Sequence, residues 1–309
     1  MAYSLSEINE AVRSDPKGFC RRCDEEFQKK VQTAAEKIAA HRGQSHIVLL
    51  SGPSGSGKTT TAMKIEDALE AMGVETHTVS MDNYFNTIDP ETAPRNREGA
   101  IDYESPFCLD IELLNRHFAM LDRGETIHVP KYEFARQMRS DIMSQPMHLG
   151  EDEIAIFEGI HALNDIIIGK NPNAFKLYIA ARSNVVDDGK VIFDHAWLRL
   201  CRRIVRDHKF RGSNAEFTMK MWDNVRRGEK LYISPYKENA DLMFDSSLAC
   251  EFSVLKPYVV PLLEELPRGK YPVADQILDA YEKIEGMDDT YLAPDSLARE
   301  FVGGSTYTY

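Results

Sequence analysis

The sequence predicts an α/β fold built on a doubly wound, mainly parallel sheet with helices on both faces. Short apolar segments of strand type alternate with segments whose apolar residues recur at helical spacing, which is typical of parallel strands joined by crossover helices. A glycine-rich segment, residues 52–59, joins the first of these strands to the next helix. Ligands of such sheets bind beyond the carboxyl ends of the strands, so residues that follow each strand are candidates for a site.

The strands and helices can be placed in order along the chain. The predicted strands are residues 46–50, 76–81, 154–157, 176–180 and 241–244. The predicted helices are residues 24–40, 60–72, 109–121, 197–210, 216–228 and 251–266, and two short helices are expected after residue 267. We therefore expect an N-terminal helical segment (1–45), a core (46–250) and a C-terminal helical extension packed on the core (251–309).

Composition restricts the classes of function. With 37 Lys and Arg against 49 Asp and Glu, the formal net charge is −12, which argues against non-specific nucleic-acid binding. No apolar run approaches the roughly 20 residues of a membrane span, and the first thirty residues do not resemble a secretory signal. We expect a cytoplasmic protein that acts on a small-molecule substrate, without nucleic-acid or membrane partners; whether it forms a homo-oligomer stays open.

Residues 52–59, GPSGSGKT, fit the phosphate-loop pattern G-x-x-x-x-G-K-[ST] without a mismatch. Glycines let backbone N–H groups approach a phosphate chain, and the following helix adds its positive N-terminal end. Lys58 is expected to reach the β- and γ-phosphates, and the Thr59 hydroxyl to ligate magnesium. The other residues expected at the ATP phosphates are Gly52, Ser54, Gly55, Ser56, Gly57 and Thr60. A glycine-rich surface turn is the alternative, but the flanking strand and helix favour a nucleoside triphosphate site.

Acidic residues follow two of the predicted strands. Asp82 comes after the second strand, where it could accept a proton from an attacking hydroxyl or cap a turn, and its position alone does not separate these roles. Glu158 ends the third strand, where a carboxylate beside a phosphate loop fits a magnesium-site partner. His161 is expected to be structural, because phosphoryl transfer does not require it.

Arginines cluster on the predicted helix 197–210. The spacing of Arg199, Arg202, Arg203 and Arg206 places several of them on one face. Like charges on one face weaken a helix unless an anion compensates them, and guanidinium groups match phosphate geometry. The cluster therefore predicts contact with a triphosphate; a solvated face paired with nearby acids is the alternative.

Together these motifs resemble the uridine kinase and phosphoribulokinase family of P-loop kinases. The resemblance runs from about residue 45 to about residue 247, and it is carried by GPSGSGKTT, SMDNYF, DYESPFCLD, VPKYEF, IFEGIHAL and RLCRRIVRDHKFRG. The segment 294–305, PDSLAREFVGGS, is similar to a bacterial nucleoside kinase-like subgroup. The resemblance implies a P-loop NTPase fold with a helical lid, and an ATP- and magnesium-dependent phosphotransferase whose acceptor is an alcohol.

The resemblance also implies roles for single residues. Asp82 matches the catalytic Asp and joins Thr59 and Glu158 at the magnesium site. Arg206 and Arg211 match lid arginines that fold over the phosphates. The residues implied on the acceptor side are Asp102, Glu104, Tyr132, Phe134, Gln137 and Arg203.

Three positions on the acceptor side depart from the nucleoside kinase pattern. Glu104 stands where that pattern has the ribose-binding Asp, Gln137 where it has a base-contacting His, and Ser213 where it has an Arg. A pyrimidine nucleoside 5′-hydroxyl is the favoured acceptor, and another sugar, polyol or pantothenate-like alcohol is the alternative. A nucleotide-dependent regulatory ATPase or switch protein is a rival from another class, but the chain lacks N-K-x-D and L-S-G-G-Q motifs.

Overall fold

The computed structural model describes residues 2–133, 136–141 and 146–308. Its strands are β1 (Ala2–Ser4), β2 (Ile47–Ser51), β3 (Thr76–Ser80), β4 (Ile127–His128), β5 (Tyr132–Glu133), β6 (Met138–Arg139), β7 (Pro146–Met147), β8 (Ile154–Glu158), β9 (Phe175–Ala180), β10 (Asn184–Asp187), β11 (Lys190–Phe193) and β12 (Leu242–Asp245). Its α-helices are α1 (Leu5–Ser14), α2 (Pro16–His41), α3 (Lys58–Ala71), α4 (Ile111–Asp122), α5 (Asp165–Ile168), α6 (His195–Phe210), α7 (Ala215–Gly228), α8 (Glu251–Glu264), α9 (Pro272–Lys283) and α10 (Arg299–Val302).

A five-stranded sheet forms the centre of the molecule. Its spatial order is β12, β9, β2, β8 and β3, and every neighbouring pair is parallel. The strand that leads into the glycine loop, β2, is the middle strand. The five predicted strands are confirmed with ends that differ by no more than one residue, and so is the doubly wound α/β fold.

The sheet separates two hydrophobic cores, and alternate residues of β2 enter each one. Val48 and Leu50 pack in a core that includes buried residues of α2, α3, α6, α8 and α9. Ile47 and Leu49 pack in a second core with residues of α4. Because both faces of the strand are covered, β2 has a continuous apolar sequence instead of an alternating one.

The segments before and after the core pack against it. Phe27 and Val31 of α2 share the larger hydrophobic core with Ile65 of α3, and Leu255 of α8 and Ile277 of α9 lie in the same core. One hydrophobic core therefore runs through all three predicted segments, and their boundaries stay a prediction. No helix in the described part of the chain combines the length and apolar character needed to cross a membrane.

A second, three-stranded sheet was not predicted. β1 pairs in parallel with β10, and β10 pairs antiparallel with β11. Residues 1–45 are predicted to be helical, but Ala2–Ser4 forms a strand by pairing with β10. This strand has no local sequence signal, since its partner lies about 180 residues away. The β10–β11 hairpin does have a local signal: Asp188 and Gly189 form its two-residue turn, with φ values of 46° and 77°.

Candidate active site

The phosphate loop connects β2 to α3, and glycines fix its path. Gly55 and Gly57 have φ values of 75° and 77°, in the left-handed region that favours glycine. A side chain at Gly52 would place its Cβ 1.9 Å from the carbonyl oxygen of Ile179 in β9. Gly57 precedes α3 without a capping side chain, so the first amides of α3 are left for other hydrogen-bond acceptors.

Two arginines of α6 hold this loop by its carbonyl groups. Arg202 donates to the Gly55 carbonyl at 3.1 Å and forms a fully buried ion pair with Glu251 of α8. Arg199 donates to the Ser54 carbonyl at 3.2 Å and pairs with Glu229 at 2.7 Å. The prediction that the arginine cluster faces a triphosphate is therefore wrong for these two residues. Sequence reasoning missed both acidic partners, which lie 30 and 49 residues from their arginines.

The remaining arginines of the cluster lie near Asp207, a residue that sequence reasoning also missed. Arg206 donates to the Asp207 carboxylate at 2.7 Å, and Arg203 and Arg211 each have a guanidinium nitrogen 3.7 Å from it. Arg203 also donates to the Ser54 hydroxyl of the phosphate loop. Asp207 offsets the repulsion among these three cations, so it can hold the predicted lid arginines, Arg206 and Arg211, close together.

The two acidic residues predicted at strand ends come together beside the loop. Glu158, the last residue of β8, is the register partner of Leu50 in β2 and of Ser80 in β3. Asp82 follows Ser80 by two residues. A cleft of about 600 Å³ contains Asp82, Glu158 and Thr59 together with Arg206 and Arg211. The parallel register of three neighbouring strands thus brings Glu158 and Asp82 to the phosphate loop, and the end of α6 adds the two predicted lid arginines to the same cleft.

Burial dominates the electrostatics of this cleft. It raises the pKa of Glu158 to about 7, against the opposing effect of Lys58, and it raises the pKa of Asp82, against the effects of Lys58, Arg211 and Arg206. Burial also lowers the pKa of Lys58, although Glu158 and Asp82 oppose this. Two poorly solvated carboxylates beside the Thr59 hydroxyl form an oxygen donor set of the kind that magnesium prefers, so these residues fit that ion.

The loop 102–104 carries two more acidic side chains, and one of them, Glu104, interacts electrostatically with Arg203 and Lys58. Asp102 is buried and accepts from Arg227 at 2.6 Å and from the Tyr232 hydroxyl at 2.9 Å, two partners that sequence reasoning missed. Burial raises the pKa of Glu104 to about 7, and Arg203 opposes this. A Cβ on Gly228 would lie 2.4 Å from the Glu104 Cβ, so Glu104 packs directly against the backbone of α7.

The other residues predicted on the acceptor side are dispersed. Tyr132 is buried, and its ring centroid is 5.6 Å from that of Phe85. Gln137 is exposed with φ of 51°, and the structure does not bring its side chain to this cluster. Phe134 lies outside the described residues. His161 is 1% exposed with its ring centroid 6.4 Å from that of Tyr232, and burial lowers its pKa to about 4, so it is neutral near pH 7.

Residues near the C-terminus also line the cleft that contains Asp82, Glu158 and Thr59. Arg299, Glu300 and Tyr307 line it opposite Asp82 and Glu158. The sequence analysis predicts a packed C-terminal extension but places no site residue there, since no spacing relates residue 300 to the phosphate loop.

With this geometry established, comparison with known proteins is informative. Residues 47–251 match the Phosphoribulokinase / Uridine kinase family. The chain belongs to this family. A uridine kinase of Macrococcus caseolyticus is 31% identical over 201 residues, which are 64% of this chain and 86% of that protein. A uridine kinase of Saccharomyces cerevisiae is 26% identical over 202 residues, but the chain spans only 37% of that longer protein.

Among solved structures, a D-glycerate 3-kinase from Cryptococcus neoformans aligns with a TM-score of 0.47 and 13% identity, over 69% of this chain and 90% of that one. Membership of the phosphoribulokinase and uridine kinase family, together with the curated relatives, indicates a nucleotide-binding phosphotransferase that acts on an alcohol group.

Proposed function

We propose that the protein is an ATP- and magnesium-dependent kinase that transfers the γ-phosphate to the 5′-hydroxyl of a pyrimidine nucleoside, uridine or cytidine. One observation carries the kinase chemistry: Asp82 and Glu158 share a cleft with Thr59 of the phosphate loop and with two lid arginines. The uridine kinase relatives support the nucleoside as acceptor.

In the proposed reaction, Asp82 accepts the proton of the acceptor hydroxyl as its oxygen attacks the γ-phosphorus. The bond from the γ-phosphorus to the bridging oxygen breaks, and ADP leaves. Lys58, Arg206 and Arg211 stabilise the negative charge that develops on the transferring group. Magnesium, when bound by Thr59, Glu158 and Asp82, supplies further positive charge at the phosphates.

The acceptor side determines which alcohol can react. Because burial raises the pKa of Glu104 to about 7, its carboxyl group can donate or accept a hydrogen bond toward a substrate hydroxyl near neutral pH. Asp102 already accepts from Arg227 and Tyr232, so it contributes by holding the loop that carries Glu104. The departure at Glu104, which the structure places near Arg203, is the observation that favours a second candidate, a sugar, polyol or pantothenate-like alcohol, because a polar mismatch in a pocket discriminates strongly.

The test is phosphate transfer from γ-labelled ATP across a panel of uridine, cytidine, sugars, polyols and pantothenate. Lys58→Ala should remove most transfer, whereas Lys37→Ala, which removes the same charge from the exposed face of α2, should leave it unchanged. A uridine kcat/KM above about 10⁴ M⁻¹s⁻¹ would support the nucleoside. Transfer to another alcohol alone would support the second candidate. ATP hydrolysis that no alcohol changes would favour a regulatory ATPase and contradict the proposal.

A further inference from the structure

The C-terminal tail, defined here as residues 293–307, returns to the phosphate loop and is fixed there by several contacts. Asp295 forms an ion pair of 2.6 Å with Lys64 of α3. Leu297 lies so close to Gly57 that a Cβ on that glycine would be 2.7 Å from its Cδ1 atom. The Arg202 guanidinium lies 5.0 Å from the centre of the Phe301 ring. The tail therefore packs on the phosphate loop that forms the proposed donor site and on Arg202, which braces that loop.

One side chain of the tail contacts the N-terminus of α3. The carboxylate of Glu300 accepts a hydrogen bond of 2.5 Å from the Thr60 hydroxyl and one of 3.3 Å from the Thr60 backbone N–H. Thr60 is fully buried, and Gly57 provides no capping side chain for this helix. Glu300 thus supplies, from 240 residues away, the anion that the positive end of α3 attracts.

A donor triphosphate needs the same groups. In a phosphate loop, the first amides of the following helix and the adjacent hydroxyls contact the phosphate chain. A carboxylate and a phosphate cannot occupy one hydrogen-bond donor together, and their like charges repel at this distance. Glu300 also lines the cleft that holds Asp82 and Glu158, so its carboxylate adds a third negative group to the space that phosphates would enter.

We propose that Glu300 sets the affinity for the donor by competing with its phosphates: its carboxylate occupies the anion position at Thr60 in the nucleotide-free protein, and the triphosphate displaces it. This inference rests on the proposed function, because it requires the phosphate loop to be the donor site. It adds to that function a residue outside the segment 47–251 that matches the family.

The contacts of the tail allow the carboxylate to leave while the backbone stays. Arg299 bonds to the carboxylate and carbonyl of Asp289, at 3.2 and 2.8 Å, and Lys209 of α6 donates to the Val302 carbonyl at 2.6 Å. Phe301, between them, is fully buried. None of these contacts involves Thr60, so rotation of the Glu300 side chain breaks its two hydrogen bonds to Thr60 while the backbone of the tail stays in place.

Binding measurements on the full chain test the proposal. The probes are the magnesium complex of the non-hydrolysable analogue AMP-PNP, and inorganic tripolyphosphate, titrated by calorimetry into the wild type, Glu300→Gln and Glu300→Ala. Glu300→Gln keeps the length of the side chain and removes its charge. The matched control is Asp295→Asn, which removes a charge from the same tail and breaks the ion pair with Lys64 without touching Thr60. Adenosine, which has no phosphate, is the matched ligand control.

We expect Glu300→Gln to tighten binding of both phosphate probes by about tenfold, since a hydrogen bond to a charged group no longer has to be given up. Glu300→Ala should tighten binding at least as much, and Asp295→Asn and the adenosine titration should show no change. Equal affinity in wild type and Glu300→Gln would overturn the inference and leave the donor site intact. Weaker binding in Glu300→Gln would also overturn it, and would make Glu300 a supporting residue of the donor site. If neither probe binds to any variant, the proposed donor site fails, and this inference fails with it.

Discussion

Replacement of Glu104 by Gln should stabilise the protein at alkaline pH and have little effect at acidic pH. Glu104 packs against Gly228 of α7, and burial raises its pKa from the ordinary 4.5 to about 7. The folded state therefore holds the Glu104 proton at pH values where the unfolded chain has released it. The stability of the wild type falls as the pH rises from about 4.5 to about 7, and above that range the full cost of the buried charge remains.

The size of the effect follows from the two pKa values. Each factor of ten in proton affinity corresponds to about 1.4 kcal/mol, so the ionised Glu104 costs the folded state about 3 kcal/mol at pH 8.5. The same relation gives a cost below about 1 kcal/mol at pH 5. Gln has nearly the same shape and no charge, so it avoids this cost at both pH values. The expected gain in melting temperature at pH 8.5 is on the order of 5 °C.

Thermal and urea unfolding at pH 5 and pH 8.5 measure this difference. Glu98→Gln is the matched control, because Glu98 is an exposed carboxylate six residues before Glu104 and its replacement changes the net charge equally. The reasoning is refuted if Glu104→Gln changes stability by the same amount at both pH values, or if it destabilises the protein at pH 8.5. In that case the Glu104 carboxylate is a partner of Arg203 that stabilises the fold.

Three further substitutions probe the rest of the site. Asp82→Asn should lower kcat by roughly 10²–10⁴-fold and change ATP affinity much less; an equal loss of ATP affinity would make Asp82 mainly a metal ligand. Arg211→Ala should lower kcat more than it weakens ADP binding, because ADP lacks the transferring group; a normal kcat would show that Arg211 is an ordinary solvated side chain. Glu251→Gln should lower the free energy of unfolding by about 3–5 kcal/mol, measured in urea, because it leaves the buried Arg202 without its carboxylate; a loss below about 1 kcal/mol would contradict the bracing role of this pair.

Local patterns predict the phosphate machinery well. The strand, glycine loop and helix around Lys58 are contiguous in sequence, Glu158 ends the apolar strand β8, and Asp82 follows β3 by two residues. Because neighbouring parallel strands end at one edge of the sheet, a correct set of strands already implies that these two acids approach the loop. In the structure, Glu158 is the register partner of Leu50 in β2 and of Ser80 in β3, two residues before Asp82.

Ion pairs between distant segments could not be predicted in this way. The spacing of the arginines on α6 shows which of them share a helix face, but it does not show whether that face meets a cleft or another helix. Arg199 and Arg202 point toward Glu229 and Glu251, whereas Arg203 and Arg206 lie with Asp207 beside the loop. All of these are arginines, so only the packing of α6 against α7 and α8 separates those that brace the loop from those that face the site.

The loop 102–104 also shows that contacts between distant segments cannot be predicted from the sequence. Asp102 and Glu104 are two residues apart and chemically alike, but their surroundings differ. Asp102 accepts hydrogen bonds from Arg227 of α7 and from Tyr232 in the segment after it, whereas Glu104 is dominated by burial. Hydrogen bonds from Arg227 and the Tyr232 hydroxyl lower the pKa of Asp102 against the opposing effect of burial, whereas the pKa of Glu104 is raised. The sequence identifies both residues as candidates for the acceptor site, but only the fold shows that burial raises the pKa of Glu104 to about 7.

The segment that matches the family model contributes only part of the residues that line the cleft. The matched segment ends at residue 251, and it contains Lys58, Asp82, Glu158 and the lid arginines. The cleft does not end there, because residues 299–307 form one of its walls and Glu300 contacts Thr60 directly. A comparison limited to the matched segment therefore omits residues that line the cleft. Under the proposed role of Glu300, substitutions in the tail should change donor affinity, while substitutions in the loop around Glu104 should change the choice of acceptor.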